Sequence, residues 1–273
     1  MVDSELWQAI LLGIVQGITE FLPISSDGHL IIVHALLNRF GAQSTSQTSH
    51  LEFDVVLHIG TLAAIIAIYR HDLLGLLKRP RLSALIGLAT IPAVAVGFTV
   101  KDAVEALGEH AIWGPVSAGL GLLITAVFLL IGQRVERSEK ELNDLTTRDA
   151  IVIGMLQSLA IAPGISRSGS TIAGGLWSGL RRDAAATFSF LMAVPVISGA
   201  ATLVLVKLFQ KGSAETLRWD VLLTGTITSF VVGLFALSAL IRIVTNRKLH
   251  WFAYYCVVVG TATLVWQLVE SWR

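Results

Sequence analysis

The chain has 273 residues, 54% of them hydrophobic and 14% charged, and its formal net charge is +1. Soluble domains carry about 25% charged residues, so this composition excludes a water-soluble globular fold and intrinsic disorder. The balance of 20 Lys and Arg against 19 Asp and Glu excludes the basic excess of a nucleic-acid binder, and the single cysteine excludes a disulfide scaffold; an integral membrane protein with several spans remains.

The first apolar region, residues 6–38, does not fit a single span. Pro23, two serines and the run Asp-Gly-His at 27–29 interrupt it. Each half is shorter than the roughly 20 apolar residues that a crossing helix needs. Two short helices that meet at a polar break predict a re-entrant hairpin, which is tolerated only where protein or a wet cavity surrounds the break.

The rest of the chain contains uninterrupted apolar segments and a second broken region. That region, residues 149–180, is interrupted by Pro163, Gly164 and the run Ser-Arg-Ser-Gly at 166–169, and it predicts a second re-entrant hairpin. The sequence therefore predicts an all-α integral membrane protein with a single polytopic membrane domain over 1–273. Six transmembrane helices are predicted at about 53–70, 82–100, 113–133, 184–207, 219–243 and 250–272.

Cationic residues in the loops orient these segments. Thirteen Lys and Arg fall on one side of the predicted membrane and six on the other, and the positive-inside rule places the larger group in the cytoplasm. Both termini then lie outside, the first hairpin enters from outside and the second enters from the cytoplasm. The larger group is Arg70, Lys78, Arg79, Arg81, Arg134, Arg137, Lys140, Arg148, Arg181, Arg182, Arg242, Arg247 and Lys248, and the smaller is Arg39, Lys101, Lys207, Lys211, Arg218 and Arg273.

The two broken regions also resemble each other in sequence. With their opposite entry, this predicts an inverted-topology repeat with halves of about 1–133 and 149–273, and such repeats place a site near the midplane of the membrane. The alternative is that small and polar residues recur in many membrane helices without any repeat. The matched pairs are Gly13 with Gly154, Gln16 with Gln157, Pro23 with Pro163, Ser25 with Ser166 and Gly28 with Gly169.

Two charged residues stand out because they lie well inside the apolar regions. Arg167 is the only Lys or Arg there, and Glu20 is the only acidic residue. A charge at the centre of a bilayer costs roughly 2.5–3.5 kcal/mol on insertion scales, so pairing or function must compensate it. A purely structural pair between the two is the simpler alternative.

The neighbours of this pair favour phosphoryl transfer. Ser26 and His29 stand three residues apart, which places them on one face of a helix, and a hydroxyl near a base is typical of an activated nucleophile. The run 166–171 predicts a turn that opens a helix at about 168–180, whose backbone N–H groups, hydroxyls and guanidinium suit an anion. Glu20 can hold a divalent cation or a proton.

Simpler interpretations stay open for several of these residues. A role for Ser25 only as the cap of the following helix, and for Asp27 only in favouring its dipole, would explain both side chains. His34 and His58 stand alone on apolar segments and are interpreted as packing or hydrogen-bonded residues.

At these motifs the sequence closely resembles the bacterial undecaprenyl-diphosphate phosphatases of the bacitracin-resistance type, over nearly the whole chain. The runs 53–62 and 188–191 resemble the same family. The first motif is carried by Gln16, Glu20, Pro23, Ser25, Ser26, Gly28 and His29, and the second by Pro163, Gly164, Ser166, Arg167, Ser168, Gly169 and Thr171.

The resemblance implies a multi-pass enzyme of the bacterial inner membrane that hydrolyses undecaprenyl diphosphate to undecaprenyl phosphate, the lipid carrier of peptidoglycan synthesis. It implies an active site open to the extracytoplasmic side and a divalent cation, calcium or magnesium, with Glu20 as a metal ligand. A homodimer is left open. The catalytic residues it implies are Ser26, His29, Glu20 and Arg167, with Ser26 as the nucleophile or close to it; whether Ser26 or His29 attacks phosphorus is left open. The substrate-binding residues it implies are Ser25, Ser166, Ser168 and Thr171, and Gln16 and Asp27 of the first motif are predicted to bind substrate as well.

Two positions depart from the family pattern. Gln16 stands where many members have Glu, which removes one carboxylate ligand, and Asp27 stands where Thr is common. We hypothesise that Asp27 returns the missing negative charge, so that its replacement by Asn raises the cation concentration needed for activity. A transporter or flippase of an isoprenoid phosphate lipid is the alternative function, because transporters often combine inverted repeats with broken helices.

Overall fold

The computed structural model describes residues 4–41, 50–134, 139–210, 218–246 and 248–272, and within these ranges the protein is helical except for its connections. Four cations of the charge count, Arg137, Lys211, Arg247 and Arg273, lie outside the described residues. The helices are α1 (Ser4–Thr19), α2 (Ser26–Arg39), α3 (His50–Ile68), α4 (Arg70–Leu76), α5 (Pro80–Glu109), α6 (Trp113–Arg134), α7 (Thr147–Leu159), α8 (Arg167–Trp177), α9 (Arg182–Gln210), α10 (Trp219–Thr245) and α11 (Leu249–Ser271).

Five helices are long and apolar enough to cross a membrane, and a bent pair brings the number to six. The five lie in α5, α6, α9, α10 and α11 and confirm five of the predicted spans, from 82–100 onward. Many large apolar side chains on the outside of the bundle face away from the protein, as lipid contact requires. Examples are Trp7, Phe98, Phe235, Trp251 and Leu268.

The first predicted span, 53–70, corresponds to α3 as far as Ile68, and the chain bends at its end. The helix axis turns by 78° between α3 and α4, at Tyr69. The polar run that begins at Arg70 gives the reason, because α4 carries Asp72 in its first turn and has no buried residue. The apolar helix therefore ends before this run, and the chain changes direction there.

Apart from the bent pair α3–α4, four helices are too short to cross the hydrocarbon on their own. α1, α2, α7 and α8 have 16, 14, 13 and 11 residues, which at 1.5 Å per residue is less than the roughly 30 Å of a bilayer core. Ser25 caps α2 by accepting a hydrogen bond from the Gly28 N–H at 3.3 Å, and Ser166 caps α8 by accepting one from the Gly169 N–H at 3.0 Å. The chain is therefore broken at both places where the sequence predicted a break.

The first helix of each short pair packs along a helix from the opposite half of the chain. α1 packs along α10, and α7 packs along α5, while α6 and α11 pack against each other. Glycines allow the close approach: a Cβ on Gly13 would lie 2.8 Å from the Gly225 carbonyl oxygen, and one on Gly154 would lie 2.5 Å from that of Ala89. The breaks α1–α2 and α7–α8 are thereby brought together inside the bundle.

Candidate active site

The two chain breaks meet through a direct ion pair. Arg167, the first residue of α8, donates from Nη2 to Oε1 of Glu20 at 2.5 Å, and both side chains are largely buried. Beside this pair, the Ser168 hydroxyl donates to the Leu22 carbonyl oxygen at 3.2 Å. The structure therefore joins the two residues that the sequence singled out, 147 positions apart.

Local hydrogen bonds fix both partners of the ion pair. The Glu20 N–H donates to the Gln16 carbonyl oxygen at 2.9 Å, which closes the last turn of α1. On the other side, the hydroxyl of Thr125 on α6 accepts from the Ser166 N–H at 2.9 Å and donates to the Gly164 carbonyl oxygen at 3.1 Å. The start of α8, and with it Arg167, is thus anchored to α6.

Three polar side chains contact Oε2, the second carboxylate oxygen of Glu20. Ser26 donates its hydroxyl to Oε2 at 2.7 Å, and Gln16 donates its amide to the same oxygen at 3.2 Å. The Nε2 atom of His58 lies 3.3 Å from Oε2 and 3.6 Å from Oδ1 of Asp27. One buried carboxylate therefore contacts a hydroxyl, an amide, an imidazole and a guanidinium, which exceeds what a simple structural pair requires.

His29 does not form the hydroxyl–base pair that its spacing from Ser26 suggested. Its Nδ1 donates to the Ser25 carbonyl oxygen at 2.7 Å, and its Nε2 accepts from the hydroxyl of Tyr255 on α11 at 2.8 Å. Ser26 and His29 share a helix face, but the His29 ring is hydrogen-bonded to Ser25 at the chain break and to Tyr255 of α11. The group that contacts the Ser26 hydroxyl is instead Glu20.

His58 is the site residue that sequence reasoning missed. It was interpreted as a packing or hydrogen-bonded histidine, yet it contacts Glu20 and Asp27. The available signal was its place in the run 53–62, which resembles the family. For His34 the same interpretation is confirmed, because its Nε2 hydrogen bonds to Oδ1 of Asp54 at 3.1 Å.

The remaining hydroxyls of the two motifs are engaged inside the protein. Ser25 and Ser166 are helix caps, as the simpler interpretation of Ser25 predicted. The Ser168 hydroxyl lies 3.2 Å from that of Ser166, and the Thr171 hydroxyl lies 2.6 Å from that of Ser189. These contacts shape the start of α8, and the predicted binding of a diphosphate by these hydroxyls stays a prediction.

A cavity of about 510 Å³ reaches the site. Asp27 and His58 are among the described residues that line this cavity. Glu20, Ser26 and Arg167 do not line it. The Asp27 side chain is 59% exposed and that of Glu20 is 5% exposed. The site therefore has a buried reactive part and an open entrance lined by a carboxylate and an imidazole.

The comparison of the sequence with known families decides where the chain belongs. The family profile described as "Bacitracin resistance protein BacA" matches residues 9–262, which include both chain breaks and every residue around Glu20. The chain belongs to the BacA family. The resemblance that the two motifs predicted is thereby confirmed.

Relatives of this BacA-family chain match it over nearly its full length. A protein from Rhodopirellula baltica named undecaprenyl-diphosphatase is 39% identical over 266 residues, which are 97% of this chain and 99% of the relative. Proteins of the same name are 38% identical in Carboxydothermus hydrogenoformans, over 96% of this chain and 97% of the relative, and 37% identical in Methanosphaera stadtmanae, over 97% and 99%.

The residues of this BacA-family site do not fit a resident divalent cation. Calcium takes six to eight oxygen ligands and magnesium about six. Both oxygens of Glu20 are occupied by Arg167, Ser26 and their neighbours, and the one buried oxygen beside them without a hydrogen bond is Oε1 of Gln16. Across the described ranges, no group of three or more His, Cys, Asp or Glu could hold a metal ion.

Proposed function

We propose that the protein hydrolyses undecaprenyl diphosphate to undecaprenyl phosphate and phosphate, which returns the lipid carrier to peptidoglycan synthesis. The names of its full-length relatives support this substrate and reaction. The observation in the structure that carries the proposal is the Glu20 carboxylate, which accepts the Ser26 hydroxyl on one oxygen and the Arg167 guanidinium on the other. A hydroxyl beside a base and a phosphate-binding cation is the arrangement that phosphoryl transfer needs.

In the proposed reaction Ser26 is the nucleophile. Its oxygen attacks the terminal phosphorus, its proton passes to Glu20, and the bond from that phosphorus to the bridging oxygen breaks to release undecaprenyl phosphate. Water then attacks the phosphoserine, and the bond from phosphorus to the Ser26 oxygen breaks. The proton held by Glu20 returns to that oxygen, the protons of the water stay with the departing phosphate, and both side chains are restored. Arg167 neutralises the developing charge on the transferred group. His29 is less suited to attack, because both its ring nitrogens are hydrogen-bonded within the protein.

The physical properties of the lipid fit a site built inside the membrane. A C55 chain stays in the bilayer because each buried CH₂ contributes about 0.8 kcal/mol, so the protein has to bring polar groups to the headgroup. We propose that α1–α2 and α7–α8 are two re-entrant hairpins that do this, with their breaks shielded by the surrounding spans. Selectivity for a prenyl diphosphate then depends on the apolar walls beside the site.

We also propose that the hairpins belong to an inverted-topology repeat. The crossed packing supports this, since α1 on α10 and α7 on α5 are equivalent contacts if α5 and α10 are repeat partners. The matched glycines Gly13 and Gly154 lie at these two contacts, and the matched serines Ser25 and Ser166 cap the matched helices. Such repeats place their site where the half-helices meet, which is where Glu20 and Arg167 pair.

The entrance is proposed to face the extracytoplasmic side of the inner membrane. The cavity is bordered by the C-terminal parts of α2, α5 and α11 and by the N-terminal part of α6. The loops at these helix ends carry few Lys and Arg, whereas the loops at the opposite ends carry the larger cationic group. The phosphate product would then leave into the extracytoplasmic space.

Phosphate release from the lipid is the direct test of this function. Purified protein in detergent should release orthophosphate from undecaprenyl diphosphate. A transporter or flippase, the alternative that the broken helices favour, would move the lipid across vesicles without releasing phosphate. Transport by wild-type protein without any phosphate release would overturn the proposal.

Arg167 should not tolerate replacement by lysine. Arg167→Lys keeps the positive charge but loses the planar fork that can hold Glu20 and a phosphate oxygen together, so we expect phosphate release to fall about 10²-fold. The matched control is Arg181→Lys, since Arg181 is exposed and pairs with Asp183 on the surface. Initial rates in detergent measure both variants, and a loss of less than about threefold for Arg167→Lys would contradict the assigned role.

The divalent cation implied by the family resemblance stays a prediction for this chain. If Asp27 supplies charge to a cation that arrives with the diphosphate, Asp27→Asn should raise the calcium or magnesium concentration for half-maximal activity severalfold. Cation titrations of phosphate release after chelation measure this midpoint. An unchanged midpoint in the variant would reject the role of Asp27.

A further inference from the structure

His58 occupies a position between the buried and the open parts of the site. It lies on α3, borders the cavity together with Asp27, and has its Nε2 3.3 Å from Oε2 of Glu20. The same Glu20 oxygen accepts the Ser26 hydroxyl. His58 therefore contacts Oε2 of Glu20 from the side of the cavity, whereas Arg167 binds the other carboxylate oxygen, Oε1.

The hydrogen-bond partners fix the orientation of the His58 ring. Nδ1 donates to the carbonyl oxygen of Asp54, one turn earlier in α3, at 2.8 Å. Nε2 faces the carboxylates of Glu20 and Asp27, which are acceptors, so it also presents a hydrogen. The ring therefore acts as a fixed donor whose direction is set by the helix backbone.

We propose that His58 is a positioning residue that keeps Glu20 aligned with Ser26. A guanidinium readily binds both oxygens of a carboxylate, and Arg167 would draw Oε2 as well as Oε1 if the donors on Oε2 did not oppose it. Besides Ser26 itself, these donors are the Gln16 amide and His58. The donor at Nε2 of His58 opposes this rotation, so that Oε2 stays 2.7 Å from the Ser26 oxygen. This inference rests on the proposed function and assigns His58 an effect on the catalytic step rather than on binding of the lipid.

His58→Asn and His58→Gln test the contacts of the two ring nitrogens one at a time. In His58→Asn the side-chain amide can replace Nδ1 and keep the bond to Asp54, but it cannot reach Glu20. In His58→Gln the amide can replace Nε2 and reach Glu20. We expect kcat for phosphate release to fall about 30-fold in His58→Asn and less than about fivefold in His58→Gln, with KM for the lipid changed less than about threefold in both.

The controls and outcomes distinguish this inference from the proposed function. His71→Gln, on the exposed side of α4, should behave as wild type, and thermal unfolding in detergent should show that both His58 variants are folded. Equal kcat values for His58→Asn and His58→Gln, or a change confined to KM, would overturn the positioning role alone. Absence of phosphate release by the wild-type protein would overturn the proposed function and this role with it.

Discussion

Replacing Ser26 with alanine should lower phosphate release by about 10³-fold or more. The hydroxyl is the group that Glu20 holds at 2.7 Å, and its removal leaves the carboxylate with no nucleophile to activate. The fold should tolerate the change, because Ser26 begins α2 whereas the cap of that helix comes from Ser25. Initial rates of phosphate release in detergent measure the loss.

A matched serine and a trapping experiment make this result specific. Ser238→Ala removes an exposed hydroxyl that donates to the Leu234 carbonyl oxygen of its own helix, and it should leave the rate unchanged. Rapid quenching of wild-type protein with labelled lipid should capture phosphate on Ser26. A Ser26→Ala protein that retains about a tenth of the activity would show that another group attacks phosphorus.

Replacing Gly164 with alanine should prevent the two chain breaks from meeting. Gly164 has φ of +84°, in the left-handed region, and a Cβ there would lie 2.1 Å from the Ala118 carbonyl oxygen of α6. The strained backbone and the clash together should cost about 3 kcal/mol or more. We therefore expect a clearly lower melting temperature in detergent, with loss of activity in parallel.

Gly87→Ala provides the control for the glycine experiment. Gly87 lies on α5 and is exposed, and a methyl group added there would have no heavy atom within 4 Å beyond its own helix and its chain neighbours. Alanine is the better helix former by up to about 1 kcal/mol, so this variant should unfold no earlier than wild type. If Gly164→Ala melts at the same temperature as Gly87→Ala, the close approach of the second break to α6 is not essential.

Sequence alone identifies the Glu20–Arg167 pair, because charge is rare inside apolar segments and the need to compensate two buried charges predicts that they meet. Both chain breaks were equally accessible, since proline, glycine and small polar residues interrupt the apolar runs where Ser25 and Ser166 cap helices. These features depend on local composition and on a cost that any membrane imposes.

The rest of the site depends on contacts between distant segments. His58 looked like an ordinary histidine in a span, because the rotation of α3 that turns it toward Glu20 follows from packing on other helices. His29 was paired with Ser26 on helix spacing, but its partner Tyr255 is 226 positions away. No proline or glycine stands next to Tyr69 in the sequence, so the bend there could not be predicted. The spacing of residues along the chain does not indicate which distant segments contact each other.

Because α1 packs along α10 and α7 along α5, the first helix pair depends on a segment that is synthesised much later. The ribosome synthesises α1 before α10, so the first pair is made before the helix along which α1 packs in the finished protein. Arg167, the ion-pair partner of Glu20, is likewise absent until α8 has been synthesised. A nascent chain that stopped just before α10 would carry both motifs complete and would still lack the neighbour that seats the first of them.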